Sequence, residues 1–140
     1  MSNVERHRQA HEAFNRRDWD GLVAMFADVF TYTDQPRGIT VKDAQEFVGW
    51  LKEWEVALSD AAVTEPTYYD AGHTTVAVFT GTGTNDGPIG PFPASNQRLS
   101  WPLCEIITWN EEGKGVAGQI FYDQMTMLVQ AGHMEAPPQQ

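Results

Sequence analysis

Two aspartates stand where a carboxylate can do acid–base work. Asp123 closes the run Gln119-Ile120-Phe121-Tyr122-Asp123, in which strand alternation puts Gln119, Phe121 and Asp123 on one face. A carboxylate facing aromatic walls loses hydration, its pKa rises, and it becomes a better base near neutral pH. The same residue precedes a short helical stretch, so it is also a candidate N-cap. Asp34 opens Asp34-Gln35-Pro36-Arg37-Gly38, where an aspartate either serves a site or bonds its own turn backbone. His7 and His11 share a helical face and could share a metal. Without a neighbouring Glu or third ligand, packed or solvated histidines are the plainer reading, and no metal is expected. Cys104 is the only cysteine, which excludes an intramolecular disulfide; with no His or Lys beside it, it reads as a small apolar residue. Gly81-Thr82-Gly83 lacks the Lys and following helix of a phosphate loop, so no nucleotide cofactor is expected.

These residues need elements to position them. Asn3 to Arg16 has no Gly or Pro and repeats Val4, His7, His11 and Phe14 at helical spacing. Asp18 can cap a short helix whose Trp19, Leu22, Val23 and Phe26 share a face. Val29 to Thr33 reads as a strand and Thr40 to Leu58 as the longest amphipathic helix, through Ala44, Phe47, Val48, Leu51, Trp54 and Leu58. Four strands follow, Ala62 to Tyr69, Thr74 to Gly83, Arg98 to Asn110 and Val116 to Asp123, then a helical turn or two from Met125 to Ala131. Pro102 inside a strand implies a bulge or an edge. The Gly- and Pro-rich stretch Thr84 to Gln97 reads as a long connection over one rim of the sheet, a position from which it can gate a pocket. Helices with one strand among them, then a run of strands, make an α+β plan.

The chain has 140 residues, consistent with one domain over 1–134 and a flexible tail at 135–140. Its formal charge of -10 repels phosphate backbones and anionic lipid, so neither nucleic acid nor a membrane is expected as partner. The charged N-terminus shows no signal peptide, and no apolar run is long enough to span a bilayer, so the expectation is a cytoplasmic protein. Five Trp, four Tyr and seven Phe support a folded domain, and most of the large side chains are expected in its core, while a pocket open to a flat ligand also needs such walls. Trp19, Trp50, Trp54, Phe79, Trp101, Phe121 and Met125 are candidate walls of an apolar ligand pocket, joined by Tyr32 and Cys104.

The order of several short pieces resembles the SnoaL-like polyketide cyclases of the nuclear transport factor 2-like superfold. They are Phe14-Asn15-Arg16-Arg17-Asp18-Trp19-Asp20-Gly21-Leu22, Met25-Phe26-Ala27-Asp28, and Tyr32-Thr33-Asp34 before Gly38. The series continues with Gly83 to Gly90 and Pro93, then Tyr122-Asp123, then Gln130-Ala131-Gly132. The resemblance implies a cone-shaped, curved antiparallel sheet that encloses an apolar pocket with three helices, and a homodimer. It also implies a cofactor-independent cyclase: an aspartate, here Asp123, takes a proton from a carbon flanked by carbonyls of a hydrophobic polyketide-type substrate, and an intramolecular aldol closes a ring. The cyclases pair that aspartate with a histidine on the preceding strand, and Arg98 to Asn110 has none. The Asp34 loop resembles the one carrying the base of ketosteroid isomerases, but Ala10 falls where those enzymes place a tyrosine. The rival readings are an isomerase or hydrolase of the same superfold, and a protein that binds a small molecule without turning it over.

Overall fold

The computed structural model describes residues 1–138. α1 (Asn3–Arg16) starts at Ser2, whose side chain accepts from the Glu5 amide, and buries His7, Ala10, His11, Ala13 and Phe14 along one stripe. Asp18 caps α2 (Trp19–Ala24) through the Gly21 amide. β1 (Phe26–Asp34) then pairs with a short edge strand, β2 (Ile39–Val41), whose Thr40 and Val41 fall at the start of the expected Thr40 to Leu58 helix. The cause is a capping signal stronger than the apolar period. Asp43 accepts from the Glu46 amide while Glu46 accepts from the Lys42 amide, so α3 (Ala44–Ala57) cannot begin earlier.

β3 (Ala62–Ala71), β4 (Thr74–Thr84), β5 (Arg98–Trp109) and β6 (Gly115–Tyr122) follow, and α4 (Gln124–Gln130) forms where a helical turn or two is expected, a fourth helix beyond the three that the resemblance implies. The six strands form one curved, unclosed sheet in the order β2-β1-β6-β5-β4-β3, an α+β fold. One pairing departs from the antiparallel expectation: β1 runs parallel to β6. α3 and four strands separate the two in sequence, so no hairpin ties their directions. The core lies between α1, α2, α3 and the sheet face carrying Ala77, Phe79, Leu99, Trp101, Leu103 and Ile120.

Pro102 sits where β5 has lost one neighbour. It pairs with Thr80 on β4, whereas pairing with β6 begins only at Leu103. On the open side Gln130 of α4 brackets Ser100, accepting from its amide at 2.8 Å and donating to its carbonyl at 2.7 Å. The missing Pro102 N–H therefore costs no ladder bond. The connection from β4 to β5 is organised by Asn85, fully buried, whose amide donates to the Gly87 and Ala57 carbonyls while its Oδ1 accepts from Ser95. Residues 135–138 carry no regular element, and the last two positions of the expected tail lie outside the described residues. Among the described residues no helix is long and apolar enough to cross a membrane.

Candidate functional site

Between α1, α3 and the inner face of the sheet lies a cavity of about 80 Å³. Phe14, Phe47, Trp50, Trp54, Phe79 and Trp101 supply its aromatic wall, and His11 and Glu105 are its ionisable members. A second, outer pocket of about 590 Å³ is bounded by Trp54, Leu58, Tyr122, α4 residues Met127 and Leu128, and the loop from Pro88 to Phe92. Trp54 belongs to both walls. It stacks on Trp101 with centroids 5.9 Å apart and meets Trp50 and Tyr122 edge-on. The β4–β5 connection thus forms a side of the outer pocket.

Glu105 is the hub of the inner cavity's polar end. β5 alternates Leu99, Trp101, Leu103, Glu105, Ile107 and Trp109 inward, so this carboxylate falls on a buried apolar face. Its Oε1 accepts from His7 Nε2 at 2.8 Å and from His11 Nε2 at 2.7 Å, and its Oε2 accepts from the Tyr32 hydroxyl. Gly118, opposite Tyr32 on β6, makes that reach possible: a Cβ there would come within 2.6 Å of the tyrosine ring. Burial pushes the Glu105 carboxyl up, but the hydrogen bonds from His11 and then His7 outweigh it and hold the group well below the ordinary carboxylate range. Burial, with the Glu105 charge and hydrogen bond, drives the Tyr32 hydroxyl far above its ordinary value, so it stays a donor.

His7, His11 and Glu105 also place three metal-ligand atoms within 4.8 Å of one another, supplying the third group the sequence reading lacked. The hydrogen bonds beyond them decide how the set is used. Trp109 Nε1 donates to Thr75 Oγ1 at 2.9 Å, and Thr75 lies 2.8 Å from His7 Nδ1, all of it buried. The assignment that leaves no buried proton unpaired has the Thr75 hydroxyl donating to Nδ1, which makes Nε2–H the donor to Glu105. His7 therefore offers the cavity no free lone pair. Its pKa is lowered by burial, with the Glu105 bond opposing, consistent with a neutral ring. His11 is oriented by Tyr68, 2.8 Å from its Nδ1.

Asp34, only 1 % exposed, is the second carboxylate inside the fold. Trp50 Nε1 donates to Oδ2 at 3.0 Å, and the Tyr122 hydroxyl lies 3.0 Å from both oxygens. Trp50 belongs to the inner wall and Tyr122 to the outer one, so Asp34 is bonded to a wall residue of each chamber. Burial first, then the Asp34 charge, pushes the Tyr122 hydroxyl far above its ordinary value and keeps it protonated. The turn bond expected at Asp34 is present as well: the Arg37 amide donates to Oδ1 at 3.3 Å.

Of the residues singled out from sequence, Trp50, Trp54, Phe79 and Trp101 line the inner cavity. Tyr32 is buried beside it on Glu105, and Trp19 is half-buried against Phe14 at the core's edge. Asp123 is brought elsewhere. β6 turns Ile120 and Tyr122 inward, the opposite of the expected facing, so Phe121 is 43 % exposed and Asp123 faces solvent. The Asp123 carboxylate caps α4, accepting from the Met125 and Thr126 amides and the Thr126 hydroxyl, bonds that hold its pKa below the ordinary value. Met125 is exposed too, and Cys104, opposite Phe121, lies on the sheet's outer face. Glu105 is the functional side chain not singled out from sequence, although its place in the inward alternation of β5 is the signal that could have found it.

A curved sheet over an aromatic cavity, with the helices on one side, is the architecture of nuclear transport factor 2-like and ketosteroid isomerase-like proteins. The SnoaL-like domain matches residues 7–117, and the protein belongs to that family. A sequence comparison with curated proteins finds no match. Among solved structures, AclR from Streptomyces galilaeus, a proposed hydroxylase, superposes with a TM-score of 0.81 at 21% identity, over 98% of this chain and 87% of that one. A proposed polyketide cyclase from Xanthomonas campestris pv. campestris gives 0.80 at 20% identity, over 93% and 99%. A protein with a ketosteroid isomerase-like fold from Catenulispora acidiphila, solved with trimethylamine, gives 0.76 at 20% identity, over 91% and 93%. At such identities the likeness is one of fold.

Proposed function

We propose that this protein is a cofactor-independent enzyme that moves a proton at a carbon beside a carbonyl of an apolar, polyketide-type compound, with Asp34 as base and then acid. The observation that carries this reading is the placement of Asp34. It is a buried carboxylate that accepts from a wall residue of each chamber, Trp50 and Tyr122, besides the Arg37 amide of its own turn. In the cyclase form of the reaction, Asp34 takes the proton and the C–H electron pair passes into an enolate. The enolate carbon attacks a second carbonyl of the same molecule, and protonated Asp34 returns its proton to the resulting alkoxide. Trp50 and Tyr122 keep the carboxylate aimed, and the aromatic walls exclude water and orient the chain. Family membership and the cyclases among its structural neighbours support the reaction class.

A substrate-independent assay tests the base. Exchange of the α-protons of 2-tetralone into D₂O, followed by NMR, is expected to be catalysed by the native protein. Asp34→Asn should slow it by about 10² to 10⁴, while Asp123→Asn, which changes only a helix cap, should leave it within twofold. Full activity in Asp34→Asn would overturn the proposal. Absence of exchange in the native protein, with 2-tetralone still bound, favours the rival reading of a binding protein.

A further inference from the structure

Trp101 carries the one buried side-chain nitrogen or oxygen without a hydrogen-bond partner among the described residues, its indole Nε1. The residue is 3 % exposed and lines the inner cavity. The other two deeply buried indoles are partnered, Trp50 by Asp34 and Trp109 by Thr75. A buried donor left unpaired is costly enough that native folds seldom keep one without a use. The ring is also held in place. Trp54 stacks on it at an interplanar angle of 15°, and a Cβ on Gly81, its partner on β4, would lie 3.0 Å from its ring, so only glycine leaves this close packing undisturbed.

We infer that the Trp101 N–H is the docking point for a neutral acceptor oxygen, a ketone or quinone carbonyl, on the apolar molecule that the cavity takes; this rests on the carbonyl chemistry proposed above and names the subsite for it. The wall around the indole, with Trp54, Phe79 and Leu103, is apolar, so a water would lack the two to four polar partners it needs there. An anionic acceptor is opposed by Glu105 in the same wall. A cation gains nothing from an N–H donor, and Glu105 has its three donors already. What remains is an uncharged oxygen on an apolar body. At about 80 Å³ the cavity takes only one end of such a molecule, since about 150 Å³ accommodates benzene. The rest extends past Trp54 into the outer pocket.

The matched pair 1-indanone and indane, which differ by the carbonyl alone, tests the subsite by calorimetric titration. The native protein should bind 1-indanone about tenfold tighter than indane, the worth of one buried hydrogen bond. In Trp101→Phe that preference should fall to near one, the change of wall shape acting alike on both ligands. Should Trp101→Phe fail to fold, native protein labelled with ¹⁵N-tryptophan supplies the reading: one indole N–H resonance moves downfield with 1-indanone and stays put with indane. A preference that survives in Trp101→Phe, no preference in the native protein, or no such shift overturns the inference. Asp34→Asn separates it from the catalytic proposal, because the carbonyl preference should persist there when proton exchange is lost.

Discussion

Glu105 spends both of its oxygens inside the protein, which makes its substitution more consequential than that of any exposed acid. In Glu105→Gln the amide nitrogen must face His7, His11 or Tyr32, each a donor, so at least one buried donor loses its acceptor. The expected cost is about 3 kcal/mol, read as a lower urea midpoint at pH 7 with an unchanged m-value; a midpoint equal to native would refute the hub. The sequence shows half of this arrangement. The alternation of Leu99, Trp101, Leu103, Ile107 and Trp109 marks the inward face and puts Glu105 on it. Its partners are 98 and 94 residues away on α1, and no local pattern pairs a strand carboxylate with helix histidines at that distance. Asp123 does not reach the cavity because alternation says which residues of β6 share a face, not which face is inward, and the more apolar face, Ile120 with Tyr122, is the one that turns in, leaving Gln119, Phe121 and Asp123 on the other.

At the scale of elements, one glycine packed against the end of α3 and one inside it should answer substitution with opposite signs. Gly87, in the wall-forming loop, lies so close to α3 that a Cβ would sit 1.8 Å from the Val56 carbonyl oxygen. Gly87→Ala must push the loop off the helix, at a cost of about 1 to 3 kcal/mol. Gly49, within α3, has nothing within 4 Å of the same position, and Gly49→Ala should stabilise by about 0.5 to 1 kcal/mol through helix propensity. Thermal unfolding of both variants checks the pair, and a stabilised Gly87→Ala would contradict the close approach. Elements with a strong period or a turn at each end were legible: α1, the Asp18 cap, and β3 to β6 lie within a residue or two of their expected bounds. β2 was not, since three residues carry no period and its neighbour's apolar spacing ran across it. The parallel pairing of β1 with β6 was not either, because it is set by how the sheet curves back over α3 rather than by any connecting turn.

Across the whole molecule, two electrostatic effects pull stability in opposite directions as the solution is acidified. The surface carries most of a formal charge of -10, and titrating toward the isoelectric point near 4.6 relieves its self-repulsion. The buried hub acts the other way. His7 has a folded pKa below its ordinary 6.5, so the unfolded chain binds more protons below that pH and stability falls as pH drops. Glu105, held below its ordinary 4.5, adds a second loss once pH passes that value, its contribution being fully present only above it. Salt distinguishes the two, since the screening length shrinks from about 10 Å at 0.1 M to about 3 Å at 1 M and affects exposed charges far more than buried ones. Urea titrations in 1 M NaCl should therefore show stability falling from pH 7 toward 5 and more steeply below 4.5, with the steeper limb absent in Glu105→Gln. Stability that instead rises steadily to the isoelectric point in 1 M salt would mean that surface repulsion, and not the His7–Glu105 hub, governs the acid limb.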